Sequence, residues 1–118
     1  MKTLIIGASA NPERYAYKAA NSLLAHGHEI ELIGQKRGIA NGHEIKIDHP
    51  DIEGIDTVTM YVGPKNQPNL YDYILKQNPR RIIFNPGSEN QEFEQLALGK
   101  GIEVEEACTL VLLSTGQY

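Results

Sequence analysis

The sequence predicts an α/β fold, with a doubly wound, mostly parallel sheet of five to six strands flanked by helices. Three observations predict it. Short apolar runs of strand type recur along the chain, and segments of helical period separate most of them. Small-residue turns follow several of these runs, at the end where a parallel sheet binds ligands. The 118 residues, 41% hydrophobic and 22% charged, fit one domain spanning residues 1–118 around a single core.

Each element has a local reason. The run Leu4-Ile-Ile6 ends at Gly7, and the small residues that follow lead to Pro12, which is expected to open a helix. In that helix Ala16, Ala19, Ala20, Leu23 and Leu24 recur on one face, a small-residue stripe suited to lying close on a sheet. Gly27 ends it. Glu29-Ile-Glu-Leu-Ile33 reads as the second strand. Residues 34–42 have no helical period and read as a connection to a brief strand near residues 44–47. Ile55-Asp56 introduces the fourth strand, Thr57-Val-Thr-Met-Tyr-Val62, which stops at Gly63-Pro64. A helix with Leu70, Tyr71, Ile74 and Leu75 inward runs to about Gln77, because Pro79 blocks its continuation. Arg81-Ile-Ile-Phe84 is the fifth strand. Ser88 is the expected N-cap of the next helix, in a capping box with Gln91, and Phe93, Leu96 and Ala97 are its expected buried stripe. Gly99 and Gly101 close that helix, and Ile102-Glu-Val104 is the sixth strand. The apolar tail from Cys108 to Leu113 reads equally as a helical turn or a strand.

Composition removes several function classes. A formal charge of −4 argues against nucleic acid or an anionic membrane as the main partner. No apolar run approaches the roughly 20 residues that span a bilayer. The chain starts directly in a strand pattern and shows no signal-peptide pattern. The single cysteine, Cys108, has no partner for an intramolecular disulfide. These features lead to the expectation of a cytoplasmic protein.

The ends of the strands are the candidate site. In a parallel sheet, ligands sit outside the carboxyl ends where the winding reverses. That rule selects residues 7–11, 34–37, 62–65 and 85–88. The first of these follows a strand and precedes a helix, so small side chains and unpaired N–H groups face a phosphate there. Gly7 is its only glycine, so the full G-x-G-x-x-G fingerprint is absent, and an ordinary βα turn is the alternative. The second strand ends Gly34-Gln-Lys-Arg37, with two cations and no acid. An NAD site usually places Asp or Glu here to hold the ribose hydroxyls. Cations suit a phosphate on the adenosine ribose, as in NADP or coenzyme A, and solvated loop charges are the alternative.

Gly7-Ala-Ser9, Pro12-x-Arg14, Leu23-x-x-x-Gly27 and Gly101-Ile-x-Val104 together resemble the small stand-alone CoA-binding domain family. That family is similar in fold to the CoA-binding domain of the succinyl-CoA synthetase α subunit. The resemblance runs from Lys2 to about Cys108. It implies a Rossmann-like fold binding the ADP part of coenzyme A, or of an acyl-CoA, along the strand ends. It implies that Gly7, Ala8, Ser9 and Asn11 meet the phosphates and that Arg14 adds charge. It further implies that Gln35 and Lys36, beyond Gly34, lie near the adenosine. Val62-Gly63 and Pro86-Gly87 would border the pantetheine channel. The chain departs from the family's common Asn-Pro after the second strand, with Gly34-Gln35, and from its frequent Trp-x-Gln, with Phe84-Asn-Pro-Gly87. Cys108 matches a late cysteine of the family.

Catalytic patterns are sparse. His26, His28, His43 and His49 match no metal-ligand spacing, so no metal is expected. Ser9 lacks the G-x-S-x-G elbow of hydrolases. The expected function is therefore binding of coenzyme A or an acyl-CoA without catalysis, through a small-molecule nucleotide-type ligand, with a homo-oligomer or a partner enzyme left open. The alternatives are an NADP-dependent oxidoreductase and a ligand-free interaction domain.

Overall fold

The strand β1 (Lys2–Ile6) lies at the middle of the sheet, and the computed structural model describes all of Met1–Tyr118. Its apolar run is continuous because both faces of the strand are covered. Leu4 and Ile6 enter one core cluster and Ile5 the other, as the two-residue period of a strand requires. The first crossover is helix α1 (Tyr15–Ala25), which leads to β2 (Glu29–Ile33), parallel to β1. Beyond β2 lie β4 (His43–Lys46) and β3 (Gly38–Ala40). The chain then returns to the other side of β1 as β5 (Ile55–Met60). Helix α2 (Tyr71–Lys76), β6 (Arg81–Phe84), helix α3 (Gln91–Gly99) and β7 (Glu103–Glu106) follow, and helix α4 (Thr109–Ser114) is last. The order across the sheet is β3-β4-β2-β1-β5-β6-β7, parallel throughout except for the pair β3–β4. The winding therefore reverses between β1 and β5.

Helices cover both faces. Ala16, Ala20 and Leu23 of α1, with Leu113 of α4, pack on Ile5, Ile30, Leu32 and Ile45. On the opposite face Ile74 of α2 and Phe93 and Ala97 of α3 pack on Leu4, Ile6, Val58, Met60, Ile82 and Phe84. Phe84 meets Phe93 edge-on, with ring centroids 5.8 Å apart, and both rings are fully buried. The sheet is thus a rigid floor for whatever its upper loops hold.

Four expectations are corrected. The sheet has seven strands, because residues 38–40 pair antiparallel with β4 across the turn at Asn41-Gly42. Three residues opening on a glycine carry too little periodicity to be read as a strand. Helix α1 begins at Tyr15 and not at Pro12. Asn11 instead closes a turn, its side chain accepting from the Glu13 N–H at 3.0 Å and its carbonyl from the Arg14 N–H at 3.0 Å. The N-cap of α3 is Asn90, which accepts from the Phe93 N–H at 3.1 Å, while Glu94 accepts from the Asn90 N–H at 3.1 Å. Ser88 donates instead to the Asn85 carbonyl at 2.7 Å. Leu96 is exposed, and the buried stripe of α3 is Phe93 and Ala97 alone.

The ambiguous tail is helix α4, which packs against α1. Asn85 holds its start. The Asn85 carboxamide oxygen accepts from the Thr109 N–H at 2.8 Å, and its nitrogen donates to the Thr59 hydroxyl at 2.6 Å and the Met60 carbonyl at 2.9 Å. The segment after α4 ends on Tyr118, whose hydroxyl bonds to Thr3. The buried Arg81 guanidinium stacks 4.5 Å from the Tyr118 ring and donates to its main-chain oxygen at 3.1 Å.

Candidate functional site

Above the point where the winding reverses, the loops leave a cavity of about 840 Å³. Its lining comes from residues 7–11, 13–16, 35–37 and 61–63, with Asn66. These are the turn after β1, the start of α1, and the ends of β2 and β5. The site is therefore assembled from segments distant in sequence and brought together by parallel pairing alone.

The turn after β1 is shaped by contacts below it. Gly7 has φ +92°, and a Cβ there would lie 2.6 Å from the Tyr61 carbonyl oxygen. Its glycine is required by the backbone and by the close approach of β5, independently of any ligand. The Gly7 and Ala8 N–H groups both donate to the Ile33 carbonyl at 2.9 Å, so neither is free. Gly34 does not line the cavity. A Cβ on it would lie 2.5 Å from the Ala8 carbonyl oxygen, so it lets the turn seat on the end of β2. Within the turn after β1 and the first turn of α1, the N–H groups of Ser9, Ala10, Tyr15, Ala16 and Tyr17 have no protein acceptor. An anion is the natural acceptor for such groups, because the helix start adds partial positive charge.

Side-chain charge follows the same sign. Of the 11 Lys and Arg residues, Lys2, Lys46, Lys76, Arg80 and Arg81 pair with carboxylates. Three of those left without a carboxylate partner, Arg14, Lys36 and Arg37, line the cavity, and Lys65 is next to Asn66 at its edge. Glu13 is the only acid in the lining. A protein with net charge −4 has thus left several of its free cations around one hollow.

Of the sequence-predicted residues, Gly7, Ala8, Ser9, Asn11, Arg14, Gln35, Lys36, Val62 and Gly63 line this cavity. Pro86 and Gly87 stand outside it, exposed, although Gly87 is close to Gly63: a Cβ on Gly63 would lie 4.0 Å from the Gly87 oxygen. Sequence reasoning passed over Glu13, Tyr15, Ala16 and Asn66. Of these only Asn66 had a legible signal, since it follows Gly63-Pro64 in a turn at a strand end. Tyr61 also lines the cavity. Burial pushes its phenol up to about 12, and its hydroxyl has no hydrogen-bond partner, although the Thr59 and Thr109 hydroxyls are near. At neutral pH Tyr61 therefore keeps its proton and is a poor general base. No histidine, aspartate or cysteine lines the cavity.

The sequence family described as "CoA binding domain" matches residues 1–114. The chain belongs to that family. Among solved structures, the crystal structure of an uncharacterized protein is 50% identical, with a TM-score of 0.98 over 99% of this chain and 97% of that one. A hypothetical protein from Pyrococcus horikoshii OT3 is 23% identical, with a TM-score of 0.87 over 96% of this chain and 81% of that one. The PH1109 protein redesigned for binding is 19% identical, with a TM-score of 0.88 over 98% of this chain and 82% of that one. The last two likenesses are of fold alone. No curated protein matches the chain. The free N–H groups and cations of the cavity suit an anionic group. No helix is long and apolar enough to cross a membrane.

Proposed function

We propose that this protein binds coenzyme A or an acyl-CoA through its nucleotide half, as a binding module that performs no reaction of its own. The observation that carries the reading is the cluster of Arg14, Lys36 and Arg37 around a cavity whose base offers unpaired N–H groups. In this reading Ser9, Ala10 and the start of α1 hold the pyrophosphate. Arg14 adds charge, and Lys36 and Gln35 meet the phosphorylated ribose and adenine. Val62-Gly63 and Pro86-Gly87 border the path of the pantetheine arm. A ligand of this charge needs several charge-assisted hydrogen bonds, each worth about 1.5–3 kcal/mol. The lack of a histidine, aspartate or cysteine in the lining, and the protonated Tyr61, support binding without catalysis.

The test is titration of the purified protein with CoA, acetyl-CoA, NADP and NAD, read by thermal shift and calorimetry. CoA or acetyl-CoA should raise the melting temperature most, and NAD least. A larger shift with NADP would move the reading to an oxidoreductase. No shift with any of the four would leave an interaction domain.

A further inference from the structure

We infer that Gln67, a residue that does not touch the cavity, is the positioning residue that sets which ligands fit past the phosphates. This inference rests on the proposed function and concerns the pantetheine side of the same site. Gln67 is fully buried in the loop between β5 and α2. Its carboxamide nitrogen donates to two main-chain carbonyls from different loops: Val62 at 2.8 Å and Ser88 at 2.8 Å. Val62 is in the cavity wall, and Ser88 follows Gly87, the residue that faces Gly63. One amide group thus ties the loop after β5 to the loop after β6. The separation of these two loops is what a ligand arm leaving the cavity on that side would meet.

The orientation of that amide is itself fixed. Asn90 donates to the Gln67 oxygen at 2.9 Å and to the Tyr71 hydroxyl at 2.8 Å, and Tyr71 donates to Glu92 at 3.0 Å. With its oxygen occupied by Asn90, Gln67 can turn only its nitrogen toward the two carbonyls. Asn90 is also the cap of α3, so the loops bordering the cavity are referenced to the rigid layer on the α2–α3 face. A glutamate would keep the acceptor and lose both donors. A methionine would keep the volume and leave the two carbonyls, that of Ser88 buried, without this donor.

The experiment compares CoA with 3′-phosphoadenosine 5′-diphosphate, which lacks the pantetheine arm, on the wild type and on Gln67→Met. The expected result is a loss of about tenfold or more for CoA, with affinity for the truncated nucleotide held within about twofold. Equal loss for both probes, or loss for neither, would overturn the inference, because a purely structural residue affects both alike. A measurement on the wild type covers the case in which Gln67→Met does not fold. CoA should shift the backbone amide resonances at residues 87 and 88, outside the cavity, and the truncated nucleotide should leave them in place. Shifts of these resonances with the truncated nucleotide, or none with CoA, would overturn it too. A wild type that binds neither probe removes the proposed function and this inference together, whereas equal losses in the variant remove this inference alone.

Discussion

Gly7 and Gly34 carry the same lesson about what a glycine in a strand-end turn is for. Small residues there suggest a ligand approaching the backbone, but in both positions the absent Cβ makes room for the protein's own chain, at Tyr61 and Ala8. The turn stands where the sequence predicts it, and its glycine is required there by the backbone whether or not a ligand lies above it. Lys36, like Arg14 and Arg37, is exposed, lines the cavity and has no carboxylate partner. If it meets a phosphate on the ribose, Lys36→Glu should weaken CoA by about tenfold or more and dephospho-CoA much less. Calorimetry with the two ligands decides this. Equal weakening would place Lys36 away from that phosphate and point to Arg37.

Whole elements were legible where their pattern was long. The alanine stripe of α1 and the apolar runs of β1, β5 and β6 appear as expected, because two-sided burial leaves a continuous signal. Strand β3 was not legible, as its three residues open on a glycine and are nearly patternless. The cap of α3 was missed by two residues because Ser88 and Asn90 are equally good caps by type. Asn90 wins through Glu94, which closes the reciprocal bond. The strand starts carry a pattern of another kind. Arg80 bonds Asp56 at 2.9 and 3.1 Å and Glu103 at 3.1 Å, linking the bases of β5, β6 and β7. The Arg80 hydrogen bonds hold the Asp56 carboxyl below its usual range. A carboxyl depressed in the folded state stabilises the fold above its unfolded value of about 3.9 and loses that contribution as pH falls through the folded value. The urea midpoint should therefore drop as pH falls below about 4. Asp56→Asn should lower the midpoint at neutral pH and flatten the acid limb. An acid limb of unchanged slope in the variant would show that Asp56 adds nothing to it.

Across the molecule, the contrast between net charge and local charge makes a prediction about salt. The chain is −4 overall, so a multiply anionic ligand is repelled at long range and attracted only at the cavity. Both fields are screened over about 10 Å at 0.1 M salt. The contacts at Arg14, Lys36 and Arg37 are exposed, so the attraction at short range should dominate the salt response. Raising NaCl from about 50 to about 500 mM should weaken CoA binding several-fold. The melting temperature without ligand, set by the buried clusters on the two faces of the sheet, should move little. Calorimetric titration at the two salt concentrations checks this. An affinity that does not change would mean that the exposed cations make no contact with the ligand.

The anchoring of Tyr118 on Thr3 and Arg81 has a consequence for biosynthesis. The Thr3–Tyr118 contact joins residues 115 positions apart, and α4 follows every strand of the sheet in the chain. A chain emerging from the ribosome can pair β1 with β2 and β5 early. The layer on the α1 side stays open until α4 arrives, and with it the polar groups of Thr59 and Asn85. Closing so long a loop is slow, and the half-covered sheet exposes apolar surface meanwhile. A nascent chain halted before α4 should therefore engage chaperones, and the arrival of α4 should be the step that completes the fold.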